Sequence, residues 1–250
     1  MASLDELPLP ADTVGLLEGM ATTRTIRRYT REPVPPEALR AILFAATRAP
    51  SGSNRQAFRF LVLTDGPVAR QAKELIARGA QRAWGSKRES DGYTRGSGVV
   101  DDSPKARVAR TMQRYVDEFA TVPVLVLPCL VRYRPPDSFE GASVYPAVQN
   151  LLLAARAIGY GAALTGWHKI VEDELRPLLG IPDDVFVAAT ITIGRPEGGH
   201  GPVRRRPMRE VVFEDRWGAP AEWAVDPPGT RHAAAGPPGP PLQTAERQPT

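Results

Sequence analysis

Residues Pro123–Val131 read PVLVLPCLV, a nearly continuous apolar run. A strand with one solvated face alternates apolar and polar residues, whereas this run is apolar at successive positions. It therefore predicts a central strand that is covered on both faces. Pro128 interrupts the run, and because proline has no N–H to donate, we expect strand pairing to stop near it.

Elements on either side of this strand predict layers of helices and strands. Further strands are expected at Phe58–Thr64, Gly161–Thr165 and Val185–Ile193. Apolar residues spaced three and four apart predict helices at Thr13–Ala21, Glu37–Arg48, Val68–Arg82, Val108–Phe119, Ser143–Ile158 and Glu172–Leu179. Long helices between buried strands are typical of an α/β or α+β fold in which helices are layered over the sheet.

The composition is that of an ordinary globular protein. Of the 250 residues, 42% are hydrophobic and 24% are charged. The formal net charge is +4 and the pI is about 9.4. This basic surplus is small, and no interleaving of basic and aromatic residues accompanies it, so it favours a nucleic-acid partner only weakly. We therefore expect no nucleic-acid partner.

Cysteine and histidine usage argues against disulfide and metal chemistry. Cys129 is the only cysteine, so no intrachain disulfide is possible, and it is expected to be a buried thiol. His168, His200 and His232 are far apart and no HExxH motif occurs, so no metal site is expected. Residues 1–10 lack a signal-peptide pattern, and no run reaches the roughly 20 apolar residues that span a bilayer. A cytoplasmic location without membrane contact is expected.

Two segments lack the periodicity of the rest of the chain. Ala83–Ala106 is rich in Gly, Ser, Asp, Lys and Arg and predicts a variable, lid-like insertion. After Gly218 the composition shifts to Pro, Gly and Ala, which cannot bury enough apolar surface to become ordered. We therefore expect one domain over residues 1–218 and a mostly disordered tail over residues 219–250.

Two stretches offer what a planar anionic ligand requires. Residues Thr23–Tyr29 read TRTIRRY, and in a helix or turn Arg24 and Arg27 would share one face. Residues Ala49–Gln56 read APSGSNRQ, a polar turn of small residues that closes a helix. Guanidinium groups bind phosphate oxygens bidentately. Taken alone, the two stretches are also compatible with a solvated basic face and an ordinary turn.

The order of these features resembles the FMN-dependent nitroreductase family. TRTIRRY matches an R-[ST]-x-R-x-[YF] start, and APSGSNRQ matches A-P-S-x-x-N-x-Q. A late segment, PMREVV at Pro207–Val212, follows the basic cluster Arg204–Arg206 as it does in the family. The resemblance covers about residues 22–218. It implies a central mixed β-sheet wrapped by helices, and an intertwined homodimer with FMN sites at the subunit interface.

The same resemblance implies roles for individual residues. The FMN phosphate and ribityl chain would be held by Arg24, Thr25 and Arg27, with Arg28 pointing away. The turn beside the isoalloxazine ring would contribute Pro50, Ser51, Asn54 and Gln56. A backbone donor near flavin N5 would come from the loop Leu164, Thr165 and Gly166. The late basic contact to the phosphate would be Arg205, and after it Arg206.

The implied activity is that of an FMN-dependent oxidoreductase. It would take hydride from NAD(P)H and reduce nitroaromatics or quinones by a ping-pong mechanism. No side chain is expected to be an essential acid or base, because flavin N5 performs the transfer. His168 is expected to be a surface or hydrogen-bonded histidine, and Trp167 a packing residue.

Two alternatives remain open from the sequence. Glu89, Tyr93 and Lys105 resemble the lid of iodotyrosine-deiodinase-type members, which clamp a halotyrosine, and would suit a reductive dehalogenase. The same residues are also compatible with a solvated loop. A non-enzymatic flavin-binding or flavin-storage protein would use the same cofactor contacts, so NAD(P)H oxidation distinguishes it from an enzyme.

Overall fold

The centre of the molecule is one β-sheet, seen in a computed structural model that describes residues 8–233. Its strands are β1 (Phe58–Leu63), β2 (Val124–Val131), β3 (Gly161–Thr165), β4 (Val185–Val187) and β5 (Thr190–Gly194). One edge of β2 pairs with β1, and its other edge pairs with β4 and β5. β3 pairs with β5. The apolar run that includes β2 is thus the central strand, as predicted.

The α+β class is confirmed, but the sheet differs from the expected one in a single respect. Every pairing of named strands in residues 8–233 is antiparallel, whereas a mixed sheet was expected. β2 and β3 run in the same direction. They do not pair because β5 lies between them and is antiparallel to both.

Pro128 does not end β2, because its missing N–H faces a break in the neighbouring strand. Phe60 pairs with Pro128, so the ladder between β1 and β2 continues through the proline. On the other edge, the Pro128 carbonyl accepts a hydrogen bond from the Ala188 N–H at 2.8 Å. Ala188 and Ala189 separate β4 from β5, which the sequence predicted as one strand. The interruption therefore lies in the partner strand, where the proline removes no ladder hydrogen bond.

Six α-helices pack around the sheet in the described residues. They are α1 (Leu16–Thr22), α2 (Pro36–Thr47), α3 (Pro67–Ser90), α4 (Pro104–Asp117), α5 (Tyr145–Ala157) and α6 (Glu172–Leu179). None of the helices in residues 8–233 has the length and apolar character needed to cross a membrane.

The hydrophobic core forms two layers, one on each face of the sheet, because successive residues of a strand point to opposite faces. Leu125 and Leu127 of β2 join a buried cluster with residues of α3, α4 and α6. Val126, between them in sequence, joins a second cluster with residues of α2 and α5. Burying each such side chain stabilises the fold by roughly 1.5–3 kcal/mol. β2 is therefore the element that both layers share.

The expected irregular insertion is shorter than predicted, because helices extend into it from both sides. α3 continues to Ser90, since Trp84 is buried and packs with Val116 and Tyr93. α4 begins earlier than predicted, with Pro104 in its first turn and Ser103 Oγ accepting from the Ala106 N–H at 3.0 Å. The segment between the two helices is residues 91–103.

The described residues fall into two compact units that divide between Gly201 and Pro202. The first contains the sheet and all six helices. The second contains a short 3-10 helix at Met208–Glu210, whose first N–H donates to Asp226 Oδ2 at 3.0 Å. Residues 1–7 and 234–250 lie outside the described part. They include most of residues 1–10, where no signal-peptide pattern was found, and much of the predicted tail 219–250. The proposed boundary at Gly218 stays a prediction.

Candidate functional site

The basic segment Arg24–Arg28 is fixed against the sheet by backbone hydrogen bonds. The segment is not helical, although a helix or turn was expected. The Ile26 N–H donates to the Ala162 carbonyl of β3 at 3.0 Å, and the Glu197 N–H donates to the Arg28 carbonyl at 3.1 Å. These bonds fix the backbone of the segment at two points. Its arginine side chains line a neighbouring cavity.

His200 fixes the backbone where this segment begins. The Arg24 N–H donates to His200 Nδ1 at 3.3 Å, and His200 Nε2 lies 3.2 Å from the Tyr160 carbonyl. This pattern assigns a neutral ring with its proton on Nε2. Partial burial lowers the pKa of His200, and the nearby Arg156 and Arg24 lower it further. The acceptor for Arg24 is therefore present at neutral pH.

Behind the segment, two buried tyrosines share one threonine hydroxyl. Tyr29 Oη lies 2.9 Å from Thr192 Oγ1, and Tyr115 Oη lies 2.7 Å from the same atom. Tyr29 Oη also donates to the Ile26 carbonyl at 2.5 Å. Burial raises the pKa of both tyrosines well above the ordinary value, so both stay neutral. The network ties the basic segment to β5 and α4.

A cavity of about 390 Å³ is lined by this segment and by α4. Four of its lining residues are arginines, namely Arg24, Arg27, Arg28 and Arg107. Within residues 8–233, no acidic residue lines the cavity and none of the four arginines has a carboxylate partner. Clustered guanidinium groups repel one another unless an anion neutralises them, so the cavity suits a phosphate.

Arg28, which the resemblance places away from the ligand, also lines the cavity, and its orientation toward a ligand stays a prediction. In the observed non-helical segment, the helical spacing of three does not decide which side chains share a face.

Two of the predicted site residues have a buried polar atom that a ligand could pair, and of the two residues only Arg27 lines the cavity. Arg27 Nε and Thr165 Oγ1 are buried and have no hydrogen-bond partner within the described residues. Such atoms normally have one, so each calls for an explanation. After Thr165, Gly166 has a φ of −112°, and a Cβ built on it meets nothing within 4 Å. Neither local conformation nor packing requires this glycine, and the open space in front of it suits a flat ring. Leu164 is also exposed.

The turn after α2 is exposed and strained. Ser53, Asn54 and Gln56 have φ values of 50°, 52° and 49°, in the left-handed region that non-glycine residues rarely adopt. Ser51 Oγ accepts from the Gln56 N–H at 2.9 Å, and Gln56 Nε2 donates to Asn54 Oδ1 at 3.2 Å. Strain of this kind concentrates at functional sites. The turn residues Pro50, Ser51, Asn54 and Gln56 do not, however, line the cavity that contains Arg24.

Arg205 and Arg206 belong to the second unit and are exposed there. Arg205 Nη1 donates to the Arg204 carbonyl at 2.9 Å, and the Arg205 carbonyl accepts from the Ala233 N–H at 2.9 Å. Their contact with a phosphate stays a prediction.

The proposed lid residues are brought together only in part. Lys105 Nζ lies 5.4 Å from the centroid of the Tyr93 ring, and that ring lies 5.2 Å from the Trp84 ring. Glu89 is exposed near the end of α3. Tyr93 is therefore already packed against the protein, and the role of the three residues in clamping a substrate stays a prediction.

His168 and Trp167 have structural environments. His168 is fully buried, with Nδ1 3.0 Å from Thr190 Oγ1 and Nε2 3.0 Å from the Val187 carbonyl. Burial lowers the pKa of His168, so the ring is neutral. The Trp167 ring packs 5.2 Å from the rings of Tyr115 and Phe119. Burial also raises the pKa of the Cys129 thiol to about 11.

Arg107, which directly follows the expected irregular insertion Ala83–Ala106, was not predicted to be a site residue. The signal was present, because Ser103-Pro104 is a common helix start. Placing α4 there puts Arg107, Val108, Thr111 and Met112 on one helical face.

The chain thus combines an α+β fold with an arginine-lined cavity beside the sheet, and the charge of this cavity suits an anion. The particular family follows from a match between residues 20–195 and a model of the nitroreductase family. The chain belongs to the nitroreductase family.

Other proteins resemble the chain over most of its length. It is 28% identical to an Archaeoglobus fulgidus protein provisionally named NADH dehydrogenase/NAD(P)H nitroreductase, over 72% of this chain and 85% of that protein. It is 23% identical to iodotyrosine deiodinase of Nematostella vectensis, over 83% of this chain and 79% of that protein. A crystal structure of a provisionally named nitroreductase from Desulfovibrio desulfuricans in complex with FMN is 29% identical, with a TM-score of 0.59 and coverage of 82% and 99%.

Proposed function

We propose that this protein is an FMN-dependent oxidoreductase that takes hydride from NAD(P)H and reduces nitroaromatics or quinones by a ping-pong mechanism. The observation that carries the proposal is the cavity in which Arg24 and Arg27 have no carboxylate partner among the described residues. Membership of the nitroreductase family and the likeness to an FMN complex support the choice of cofactor.

The chain's own residues would bind and orient the cofactor. Arg24, Thr25 and Arg27 would hold the phosphate and ribityl chain, and Arg27 Nε would gain the partner it lacks. The Thr165 hydroxyl and the Gly166 backbone would meet the flat ring system. When bound, FMN supplies hydride and electron transfer between NAD(P)H and an aromatic acceptor. No carboxylate or histidine lines the cavity within residues 8–233, so protons would come from water.

We propose further that the protein is a homodimer with its FMN sites at the subunit interface. The strained turn Ser51–Gln56 does not line the cavity of its own chain, so a second copy would supply Pro50, Ser51, Asn54 and Gln56. An apolar surface for such contact is present on α1, where Leu16 is 65% and Leu17 80% exposed. Exposed apolar patches of this kind mark association surfaces.

The decisive test is anaerobic addition of NADPH to FMN-loaded protein while the visible absorption spectrum is recorded. Bleaching of the flavin band is expected. A band that persists with both NADPH and NADH would contradict the reductase and indicate a flavin-binding protein without turnover. Failure to bind added FMN would contradict the cofactor site itself.

Reductive dehalogenation of a halogenated tyrosine is a second candidate, supported by the likeness to iodotyrosine deiodinase. It would use Glu89, Tyr93 and Lys105 near the end of α3 and the start of α4. Halide release from iodotyrosine, compared with reduction of a nitroaromatic under the same reductant, separates the two activities. A Lys105→Ala variant with unchanged halide release would argue against the clamp.

A further inference from the structure

We propose that Arg107, on α4, binds the cofactor phosphate. Arg24 and Arg27 line the same cavity from the basic segment. The inference rests on the proposed FMN function. It gives α4, which follows the insertion predicted to be lid-like, a part in holding the cofactor.

The first argument is the contrast among the arginines of α4. Arg110 Nη2 lies 3.1 Å from Asp102 Oδ1, and Arg114 Nη2 lies 2.8 Å from Glu197 Oε1. Arg107 has no carboxylate partner within residues 8–233, and its Nη1 donates to the backbone carbonyl of Asp102. The guanidinium group that lines the cavity is therefore the one that α4 leaves without a counter-charge.

The second argument is the chemistry of the α4 face. Arg107, Val108, Thr111 and Met112 all line the cavity. The Thr111 hydroxyl donates to the Arg107 carbonyl at 3.0 Å, so its proton is already used. Val108 and Met112 are apolar. Among these four residues, Arg107 alone offers N–H donors to an anion.

The third argument is charge balance. A phosphate monoester carries about −1.5 to −2 at neutral pH. Arg24 and Arg27 lie in one short segment, and Arg107 lies on a different element of the same cavity. Donors from two elements enclose a tetrahedral anion better than donors from one, and they restrict its position. Contact with the phosphate would also link α4 to the bound cofactor.

The test compares FMN with riboflavin, which has the same ring and ribityl chain but no phosphate. Both are titrated by flavin fluorescence into full-length, cofactor-free wild type, Arg107→Gln, Arg107→Lys and Arg110→Gln. Arg110→Gln is the matched control, since it removes the same charge from the same helix outside the cavity. Arg107→Gln is expected to raise the Kd for FMN at least about ten-fold, or about 1.4 kcal/mol. Its riboflavin Kd stays within about two-fold. Arg107→Lys recovers part of the affinity.

Four outcomes would overturn the inference. An unchanged FMN Kd in Arg107→Gln, or an equal rise for FMN and riboflavin, would contradict a phosphate contact while leaving the FMN function standing. An equal loss in Arg110→Gln would show a general charge effect. If the wild type bound neither flavin, the proposed function would fall together with the inference. Thermal unfolding of each variant verifies that the fold is intact.

Discussion

Gly161 and Gly194 lie opposite each other in the ladder between β3 and β5, and the basic segment packs directly on both. A Cβ on Gly161 would lie 2.6 Å from Ile26 Cβ, and a Cβ on Gly194 would lie 2.9 Å from Tyr29 Cδ1. Real Cβ atoms do not approach other atoms so closely. The paired glycines therefore let the segment that carries Arg24 and Arg27 lie against the sheet.

Replacing Gly161 by alanine should therefore disturb the cofactor site through the position of Ile26. Overpacking of this kind typically costs about 1–3 kcal/mol of unfolding free energy, and the shifted segment should bind FMN more weakly. Urea denaturation and FMN titration of Gly161→Ala measure the two effects.

The matched control is Gly85→Ala on α3, where a built Cβ meets nothing within 4 Å. Alanine is favoured in helices by about 1 kcal/mol over glycine, so this variant should gain stability and keep its FMN affinity. Unchanged FMN affinity in Gly161→Ala would show that the segment tolerates displacement from the sheet.

The shared hydroxyl of Thr192 gives a second prediction. Thr192→Val leaves Tyr29 and Tyr115 without their common partner in the buried network, which should cost about 1–3 kcal/mol of unfolding free energy. Urea denaturation of Thr192→Val, Tyr115→Phe and the double variant forms a double-mutant cycle. We expect clearly non-additive losses, because both substitutions remove the same hydrogen bond. Additive losses would show that the two hydroxyls act independently.

The sequence predicted the elements that follow regular patterns. β3 and α6 have the predicted bounds, and β2 and α5 lie within one or two residues of theirs. The apolar spacing or continuity of β2, β3 and α5 is strong because these three elements are extensively buried, whereas α6 buries Leu175 and ends at the C-cap Gly180. The extension of α3 was missed because Trp84 stabilises it through Tyr93 and Val116, which are distant in the chain. A single-sequence pattern does not contain such tertiary contacts.

For the candidate site, the sequence placed Arg24 and Arg27 in what proved to be one cavity. It did not place Arg28 there, because backbone hydrogen bonds to the sheet and to the Glu197 N–H, and not helical spacing, position the basic segment. It did not place Arg107 there, because the start of α4 at Pro104 was not recognised. The sequence also did not predict that the Ser51–Gln56 turn lies outside the lining of this cavity, because the position of the turn depends on the fold of the whole chain. No residue pattern in the turn encodes its distance from the arginine-lined cavity.

Protonation of His168 predicts a loss of stability in acid. Its folded-state pKa is lowered by burial below the ordinary value of 6.5, so below that pH the unfolded chain binds more protons. The stabilisation is complete above about pH 6.5 and is lost as the pH falls toward the folded pKa, with a slope approaching about 1.4 kcal/mol per pH unit.

Urea denaturation across this pH range checks the prediction for His168. The pH dependence should be shallower in His168→Gln. His200→Gln is the comparison variant, since the pKa of His200 is also lowered by burial and its own share of the slope should be lost separately. An unchanged slope in His168→Gln would show that the buried ring takes no part in acid unfolding.

Arg27 gives the prediction that best separates binding from folding. Its Nε is buried without a partner in residues 8–233, so the cofactor-free protein bears a desolvation cost that a bound phosphate would offset. Arg27→Met keeps an apolar chain in place and removes the polar group. We therefore expect the unfolding free energy of the cofactor-free protein to stay constant or to rise by up to about 1 kcal/mol.

With FMN present, the wild type should be more stable than Arg27→Met, which is the reverse of the order expected without the cofactor. A ligand stabilises the folded state according to its concentration relative to its Kd, and the Kd of Arg27→Met should be at least about ten-fold higher. Thermal unfolding with and without FMN measures both states, and Arg110→Met controls for the loss of one charge. If Arg27→Met destabilised the cofactor-free protein and left the FMN Kd unchanged, Arg27 would be a structural residue. The anion would then have to be held by the remaining arginines of the cavity.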